Sequence, residues 1–313
     1  MTPFAIAGIQ MEVSGSHENV TAMGRRLDLL MKKFPWVQMV LFSELCAFGS
    51  ATEHAQPLPG PAESTFCQMA AYYGVWLVPG TLFERVADGI YNTAPVIAPD
   101  GHVIARARKL FPFRPYEVGV KAGSDFVVFD VPSVGRFGVS VCYDMWFPET
   151  TRTLAALGAE VILHPSLTDT TDRDIELAIA RSSAAVNQCY FFDINGVGDG
   201  GVGRSIIVGP AGDVLHEAGA GREKMPIEVD LDRVRREREM GLRGLGQPLK
   251  SFRDRAVEFS VYQRAGLTEG YLRSLGPLVK PARAAGAGAT QAVAHADTAE
   301  LPHAENPSEE SSK

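Results

Sequence analysis

The chain has 313 residues, of which 45% are hydrophobic and 21% are charged, and its formal net charge at pH 7 is −7. This length and apolar content suffice for one large core, while the scattered basic residues provide no binding surface for nucleic acid or an anionic membrane. No apolar run is long enough to span a bilayer and no signal peptide precedes the first strand-like run, so we expect a soluble, cytoplasmic protein.

Hydrophobic periodicity predicts alternating strands and helices along most of the chain. The predicted strands cover residues 4–11, 39–42, 76–83, 90–98, 102–109, 126–131, 137–141, 161–163, 190–194, 204–208 and 214–216. The predicted helices cover residues 18–34, 65–73, 149–158 and 171–187. This alternation indicates an α/β fold in which much of the sheet is covered by helices.

The last part of the chain differs in composition from the rest. From about residue 281 onward it consists mainly of Ala, Gly, Ser, Glu and Pro with few large apolar side chains. Such a segment cannot bury enough surface to offset the entropy of ordering. We therefore predict one globular domain over residues 1–280 and a disordered tail over residues 281–313.

The cysteines are widely spaced and give no sign of a metal site. Cys46, Cys67, Cys142 and Cys189 form no Cys-x-x-Cys pair and have no companion histidine at a zinc-like spacing. We expect free thiols in a reducing compartment and no bound metal.

The segment from Arg136 to Glu149 contains a cysteine at the end of a fully apolar run. Residues 137–141 are typical of a buried strand, and Pro148 and Glu149 are typical of the first turn of a helix. Cys142 is therefore predicted on a strand-to-helix turn, where a nucleophile and backbone N–H donors for an oxyanion can be built together. The structural alternative is that Cys142 is a small buried hydrophobic residue.

Two charged residues stand at equivalent strand ends. Glu44 follows the apolar strand 39–42, where burial would raise the pKa of its carboxyl group into the range of a general base. Lys109 ends the strand 102–109 and could stabilise an oxyanion. Taken singly, Glu44 could instead cap a helix and Lys109 could be a solvated charge.

Glu44, Lys109 and Cys142, in this order, resemble the Glu-Lys-Cys triad of the nitrilase (carbon-nitrogen hydrolase) superfamily. The resemblance covers roughly residues 4–255, and its most specific segments are Phe42–Leu45, Tyr91–Thr93, Arg108–Phe113 and Gly138–Glu149. It implies a four-layer α-β-β-α sandwich and assembly as a homodimer or larger homo-oligomer.

Glu117 lies in the stiff, proline-containing run that follows Lys109. Its spacing from Lys109 resembles the amidase branch of the superfamily, in which a second glutamate positions the substrate amide and joins the proton relay. The alternative is a loop carboxylate paired with Arg114.

The resemblance implies a thiol amidohydrolase that needs no metal or organic cofactor. Glu44 would take the proton of Cys142, the thiolate would attack an amide carbonyl, and Lys109 with the backbone N–H of Tyr143 would stabilise the oxyanion. Water, activated by Glu44 with help from Glu117, would then hydrolyse the thioester to a carboxylate.

Bulky and apolar side chains flank the triad, which favours a small, partly apolar carboxamide as the substrate. The predicted substrate-binding residues are Phe113, Tyr143, Met145, Trp146 and His164. Four alternatives remain open: an N-carbamoyl amine or amino acid substrate, a nitrile substrate, acyl transfer to an acceptor other than water, and a binding or scaffold protein on the same fold.

Overall fold

A computed structural model of the chain describes residues 1–263 and 270–281, and Met1–Leu278 form one compact unit. The remaining unit is Val279–Lys313, of which the structure describes residues 279–281 only. Nearly all of the predicted tail, residues 281–313, lies outside the described residues. The domain boundary after residue 280 and the disorder of the tail therefore stay predictions.

The helices bury apolar stripes at helical spacing, as in the first one, where Met23, Leu27 and Leu30 are buried. The longer helices are α1 (Val20–Lys33), α2 (Pro61–Tyr73), α3 (Pro148–Ala156), α4 (Arg173–Asn187), α5 (Leu231–Met240) and α6 (Pro248–Arg253). Shorter helical segments are Thr52–His54, Cys142–Trp146, Ser260–Tyr262 and Tyr271–Ser274. No helix in the described part of the chain has both the length and the apolar character needed to cross a lipid bilayer.

The first sheet has eight strands, and its central strands run parallel. Its strands are β1 (Pro3–Gln10), β3 (Met39–Phe42), β4 (Trp76–Val78), β5 (Leu82–Val86), β6 (Gly89–Ile97), β7 (Val103–Arg108), β8 (Val120–Lys121) and β17 (Glu223–Asp230). They pair in the order β17-β1-β3-β4-β6-β5, and both β7 and β8 pair with β6. The pair β6–β7 aligns Asn92 with Lys109, whose backbone N–H donates to the Asn92 carbonyl oxygen at 2.8 Å.

The second sheet has six strands in the order β16-β15-β12-β11-β10-β9. They are β9 (Val127–Val131), β10 (Gly135–Val139), β11 (Val161–Pro165), β12 (Tyr190–Ile194), β15 (Ile206–Val208) and β16 (Val214–Glu217). The three central strands, β10 to β12, are parallel. A small third sheet joins β2 (Glu12–Val13), β13 (Val197–Gly198) and β14 (Gly201–Val202).

The two large sheets pack face to face, and helices cover their outer faces. In β3, Met39 and Leu41 belong to the core between the sheets, whereas Val40 and Phe42 belong to the core under α1 and α2. Strands β11 and β12 alternate in the same way between the inter-sheet core and the core under α3 and α4. The predicted four-layer α-β-β-α sandwich is confirmed.

Two predicted elements differ from the observed ones, and one long observed strand was not predicted. The predicted strand 76–83 is two strands, because Pro79 and Gly80 interrupt the ladder between β4 and β5. Helix α2 begins at Pro61 rather than at residue 65, since proline is well suited to the first helical position. No strand was expected over 223–230, where β17 forms a sheet edge and tolerates Pro226 within it.

Gly80 permits a close backbone approach beside Glu44. Its φ is +73°, and a Cβ there would lie 1.8 Å from the Ser43 carbonyl oxygen. The neighbouring Thr81 hydroxyl accepts a hydrogen bond from the Leu45 backbone N–H at 2.9 Å. The turn that interrupts the predicted strand therefore braces the segment that carries Glu44.

Gly80→Ala is expected to lower the free energy of unfolding by about 3 kcal/mol, because the methyl group meets backbone that cannot move aside. The matched control is Gly74→Ala, where φ is +62° but nothing lies within 4 Å of the added Cβ. Gly74→Ala should lower the free energy of unfolding by about 1 kcal/mol, because only the left-handed conformation is unfavourable there. Urea unfolding measures both variants, and equal losses would contradict the close-approach explanation.

Candidate active site

Cys142 lies on a sharp turn between β10 and α3. Its φ of +47° is left-handed, and Cys142–Trp146 form a single 3-10 turn before Pro148 opens α3. The residue is buried, with Sγ 3.7 Å from the carbonyl oxygen of Leu167. Burial is the main cause of a raised pKa of this thiol, and the negative charge of Glu44 adds to it. The resting side chain is therefore a protonated thiol that needs a base.

Glu44 provides a buried carboxyl group beside that thiol. Its backbone N–H donates to the Ser166 carbonyl oxygen at 3.1 Å, which joins the end of β3 to the end of β11 across the sandwich. Its Oε1 accepts hydrogen bonds from Asn92 Nδ2 at 2.7 Å and from Lys109 Nζ at 3.0 Å. Burial raises the pKa of Glu44 although the positive charge of Lys109 opposes this shift. A carboxylate with a raised pKa is well suited to take a proton near neutral pH.

The Lys109 ammonium group bridges two carboxylates. Its Nζ lies 3.0 Å from Glu44 Oε1 and 3.0 Å from Glu117 Oε2, and only 2% of its side chain is exposed. Burial disfavours the charged form, but the negative charges of the Glu44 and Glu117 carboxylates raise the pKa of Lys109 well above its ordinary value. Lys109 therefore carries a permanent positive charge next to the thiol.

Glu117 contacts Lys109 and not the side chain of Arg114. The Glu117 carboxylate also accepts the backbone N–H of Phe113. Arg114 instead donates to the carbonyl oxygens of Glu117 and Val120. The alternative pairing of the Glu117 carboxylate with Arg114 is wrong, because the guanidinium group holds the backbone of the Glu117 loop.

Asp144 joins the nucleophile turn to the lysine segment, and sequence reasoning gave it no role. Its Oδ1 accepts the backbone N–H groups of Leu110 at 3.0 Å and Phe111 at 2.8 Å, and its Oδ2 accepts that of Val141 at 2.9 Å. Burial raises the pKa of Asp144 to about 7, while hydrogen bonds from the Phe111 and Val141 N–H groups favour the charged form. An acidic residue inside an otherwise apolar segment was the signal that could have identified it.

The triad opens onto a cavity of about 350 Å³. Three of the five predicted substrate-binding residues, Phe113, Tyr143 and Trp146, line it together with Glu44, Lys109, Glu117 and Cys142. Its other lining residues are Leu45, Ser50, Tyr116, Leu167, Thr168, Asp169, Thr170, Asp172 and Glu176. The walls are mainly aromatic and aliphatic, and carboxyl groups interrupt them.

Met145 and His164, the other two predicted substrate-binding residues, face away from this cavity. Met145 packs with Leu154 and Ile162 in the core under α3 and α4, because the tight 3-10 turn directs it opposite to Tyr143 and Trp146. His164 is fully buried, with Nδ1 2.7 Å from Ser140 Oγ, and burial lowers its pKa to about 3. Neither side chain lines the cavity, so the structure does not bring these two predicted residues to its wall.

Two further residues of the site went unassigned in the sequence. Asn92, in the segment Tyr91–Thr93, donates to Glu44, and a buried amide within an apolar strand was its signal. Glu176 reaches the cavity from α4, where it occupies the same buried stripe as Ala180 and Ala184. Within the described ranges 1–263 and 270–281, no group of three or more His, Cys, Asp and Glu side chains is placed to hold a metal ion.

Comparison with known proteins gives a family and several relatives. The family model described as carbon-nitrogen hydrolase matches residues 6–239. Human omega-amidase NIT2 is 27% identical over 255 residues, which cover 75% of this chain and 91% of that protein. A nitrilase of Pyrococcus abyssi is 33% identical over 224 residues, covering 66% of this chain and 77% of the relative.

A solved structure supports the same grouping. Nit3 of Saccharomyces cerevisiae, a member of branch 10 of the nitrilase superfamily, superposes with a TM-score of 0.68 and 28% sequence identity. The superposition covers 76% of this chain and 94% of Nit3. The similarity thus extends over most of both proteins.

Asp144→Asn is expected to lower the free energy of unfolding by about 2 kcal/mol and to reduce turnover, because an amide group cannot accept all three backbone N–H bonds. The control is Asp130→Asn. The Asp130 carboxylate is 65% exposed and pairs with Arg136 at the surface, so this substitution should lower the free energy of unfolding by less than about 0.5 kcal/mol. Thermal unfolding and turnover are measured on both variants. Identical behaviour of the two would show that Asp144 does not position the site.

Proposed function

Because the chain belongs to the carbon-nitrogen hydrolase family, in the amidase-like branch of the nitrilase superfamily, we propose that it is a thiol amidohydrolase acting on linear amides. It cleaves the C–N bond of a small, partly apolar carboxamide and releases a carboxylate and ammonia through a cysteine thioester. The observation that carries this proposal is the Lys109 ammonium group held between Glu44 and Glu117, at the wall of the cavity that contains Cys142.

The first half of the reaction forms the thioester. Glu44 takes the thiol proton as Cys142 Sγ attacks the amide carbonyl carbon, so the thiolate is generated only when a substrate is in place. Lys109 and the Tyr143 backbone N–H stabilise the negative charge on the former carbonyl oxygen. Protonated Glu44 then returns its proton to the leaving nitrogen, and ammonia departs as the carbonyl re-forms.

The second half consumes water. Glu44, again ionised, removes a proton from a water molecule that attacks the thioester carbon, and Glu117 helps to orient this water and the substrate amide. Collapse of the second tetrahedral intermediate breaks the C–S bond, and the proton held by Glu44 goes to the Cys142 sulfur. The product is released as the carboxylic acid, which gives its remaining proton to the ammonia or to solvent and becomes the carboxylate, and the thiol is restored.

The cavity supports a compact substrate. Its volume of about 350 Å³ and its walls of Phe113, Tyr143 and Trp146 suit a short chain with apolar surface. A nitrile is the second candidate, because a nitrilase of Pyrococcus abyssi is among the relatives and a thiol can also add to a nitrile carbon. An N-carbamoyl amine also contains a carbonyl group bonded to an amide nitrogen, and it is the third candidate substrate.

We further propose a homodimer or larger homo-oligomer in the cytoplasm, with a small-molecule amide as partner and with neither nucleic acid nor membrane as a partner. The four cysteines are free thiols, which suits a reducing compartment. Exposed apolar side chains near the end of the compact unit, such as Leu245 and Val257, suit a contact between subunits.

Purified protein is expected to release ammonia from short aliphatic amides faster than from matched carbamoyl amines or nitriles. Cys142→Ala should abolish the release, and Glu44→Gln should lower turnover at least about a hundredfold, because the base is lost. Glu149→Gln, an exposed acid in the first turn of α3, is the matched control and should retain full activity. Release by Cys142→Ala, or a Glu44→Gln variant within a few-fold of the parent, would refute the mechanism.

The dependence of kcat/KM on pH should report the raised pKa of Glu44. Glu44 acts as a base in its ionised form, so activity is lost as the pH falls through its pKa, at a pH above the ordinary glutamate value of about 4.3. Loss of the Lys109 proton does not reduce activity at neutral pH, because the pKa of Lys109 is raised well above the usual lysine value. The profile is measured with a neutral amide, and full activity down to about pH 4 would contradict a raised pKa of the base.

A further inference from the structure

The cavity holds an excess of negative charge. Five carboxyl groups line it, and Lys109 is the single basic side chain in the described part of the lining. Lys109 already lies against two of these groups. The remaining three are those of Asp169, Asp172 and Glu176, which lie away from the Glu44 and Glu117 contacts with Lys109.

Glu176 is the buried member of this acidic set. It is 3% exposed, and its Oε2 accepts hydrogen bonds from Thr168 Oγ1 at 2.7 Å and from Arg173 Nη1 at 3.1 Å. Its Oε1 has only a long contact, 3.4 Å, with Trp146 Nε1 among the hydrogen bonds found in the described residues. One carboxylate oxygen is thus held rigidly and the other has spare accepting capacity at the cavity wall.

Arg173 is shared between Glu176 and a second buried carboxyl group. The Nη1 atom that contacts Glu176 also lies 2.8 Å from Asp193 Oδ2, so one guanidinium group serves two buried side chains. The rest of the guanidinium group donates to the Arg204 carbonyl oxygen. Glu176 therefore shares its nearest guanidinium group with a second carboxylate and receives a single contact from it.

The charge of Glu176 reaches the nucleophile. Burial is the main cause of the raised pKa of Cys142, Glu44 is the next, and Glu176 raises it further. Glu176 and Cys142 line the same cavity, so an acyl chain bound at the sulfur would occupy the space that Glu176 borders.

Among the described residues that line the cavity, the only basic side chain is Lys109, which is already paired with two carboxylates. Arg114, the nearest candidate in the sequence, donates to the carbonyl oxygens of Glu117 and Val120. An anionic acyl chain would place its charge among carboxylates without a partner, at a large desolvation cost.

The aromatic walls complete the environment that a cation needs. Phe113 lies with its ring centroid 4.8 Å from that of Tyr116 and 4.8 Å from that of Tyr143, and Trp146 borders Glu176. Such rings pack against a methylene chain and attract a cation to their faces.

We propose that this cavity selects amides whose acyl chain ends in a protonated amine, with Glu176 as the residue that binds the ammonium group and Asp169 and Asp172 as an acidic rim. This inference rests on the proposed amidohydrolase function and names the substrate class of the same site. Glu176 determines specificity, and the bond-breaking steps remain those of Glu44, Lys109 and Cys142.

The test compares primary amides that share one polymethylene chain and differ in the terminal group. The series is 5-aminopentanamide with an ammonium group, 5-hydroxypentanamide with a hydroxyl, hexanamide with a methyl and 6-amino-6-oxohexanoate with a carboxylate. The kcat/KM for 5-aminopentanamide should exceed that for hexanamide at least about tenfold, and the carboxylate should be the poorest substrate. Equal values for the ammonium and methyl members, or a preference for the carboxylate, would overturn the inference.

Glu176→Gln removes the charge with little change in shape, and should reduce the ratio of kcat/KM for 5-aminopentanamide over hexanamide about tenfold. Asp174→Asn is the matched control, because its carboxylate lies on the same helix, is 74% exposed and pairs with Arg204. The control should keep the parental ratio. If Glu176→Gln does not fold, Asp172→Asn should lower the same ratio a few-fold, and an unchanged ratio there would overturn the inference.

A binding measurement separates this inference from the proposed function. Cys142→Ala is titrated calorimetrically with 5-aminopentanamide and with hexanamide. If the parent releases no ammonia from any amide, the proposed hydrolysis fails, yet tighter binding of 5-aminopentanamide by at least about tenfold would still support the cationic specificity. Equal or weaker binding of 5-aminopentanamide would overturn the specificity whether or not the protein hydrolyses amides.

Discussion

The site depends on one buried cation, the Lys109 ammonium group between the carboxylates of Glu44 and Glu117. A buried ammonium group is expensive unless it is paired, and two carboxylates 3.0 Å away supply the pairing. In the proposed mechanism the same contacts serve the chemistry, because they keep Lys109 charged for the oxyanion and hold Glu44 in place as the base. Stability and reactivity therefore share these contacts, and removing either carboxylate would leave charge without a partner.

The sandwich places these groups by joining the ends of strands from both sheets. Glu44 and Lys109 follow strands of the first sheet, and Cys142 follows a strand of the second. Two local links fix the distances between them. The Glu44 N–H bonds to Ser166 across the sheets, and Asp144 ties the backbone after Lys109 to that before Cys142. The reacting groups are thus held by backbone hydrogen bonds rather than by flexible side chains.

The charge distribution gives the cavity its character. Burial raises the pKa of the Cys142 thiol and that of the Glu44 carboxyl group, and in the proposed mechanism the thiolate therefore forms only during attack. Around this centre, carboxylates outnumber cations, and Glu176 extends that imbalance to the substrate side of the cavity. A protonated amine fits the resulting field, whereas a carboxylate meets repulsion and no partner.

The sequence by itself determined the positions of Glu44, Lys109 and Cys142 at strand ends, because apolar runs precede them. It determined the layer order through the resemblance to the nitrilase superfamily, because the motif segments that carry it are specific. Only the tertiary structure decided which neighbours of Cys142 enter the cavity, and it excluded Met145 and His164. It also brought Glu176 to the wall and engaged Arg114 with backbone carbonyl oxygens. Periodicity cannot give these results, since side-chain directions on a tight turn and contacts between distant segments depend on how the layers pack.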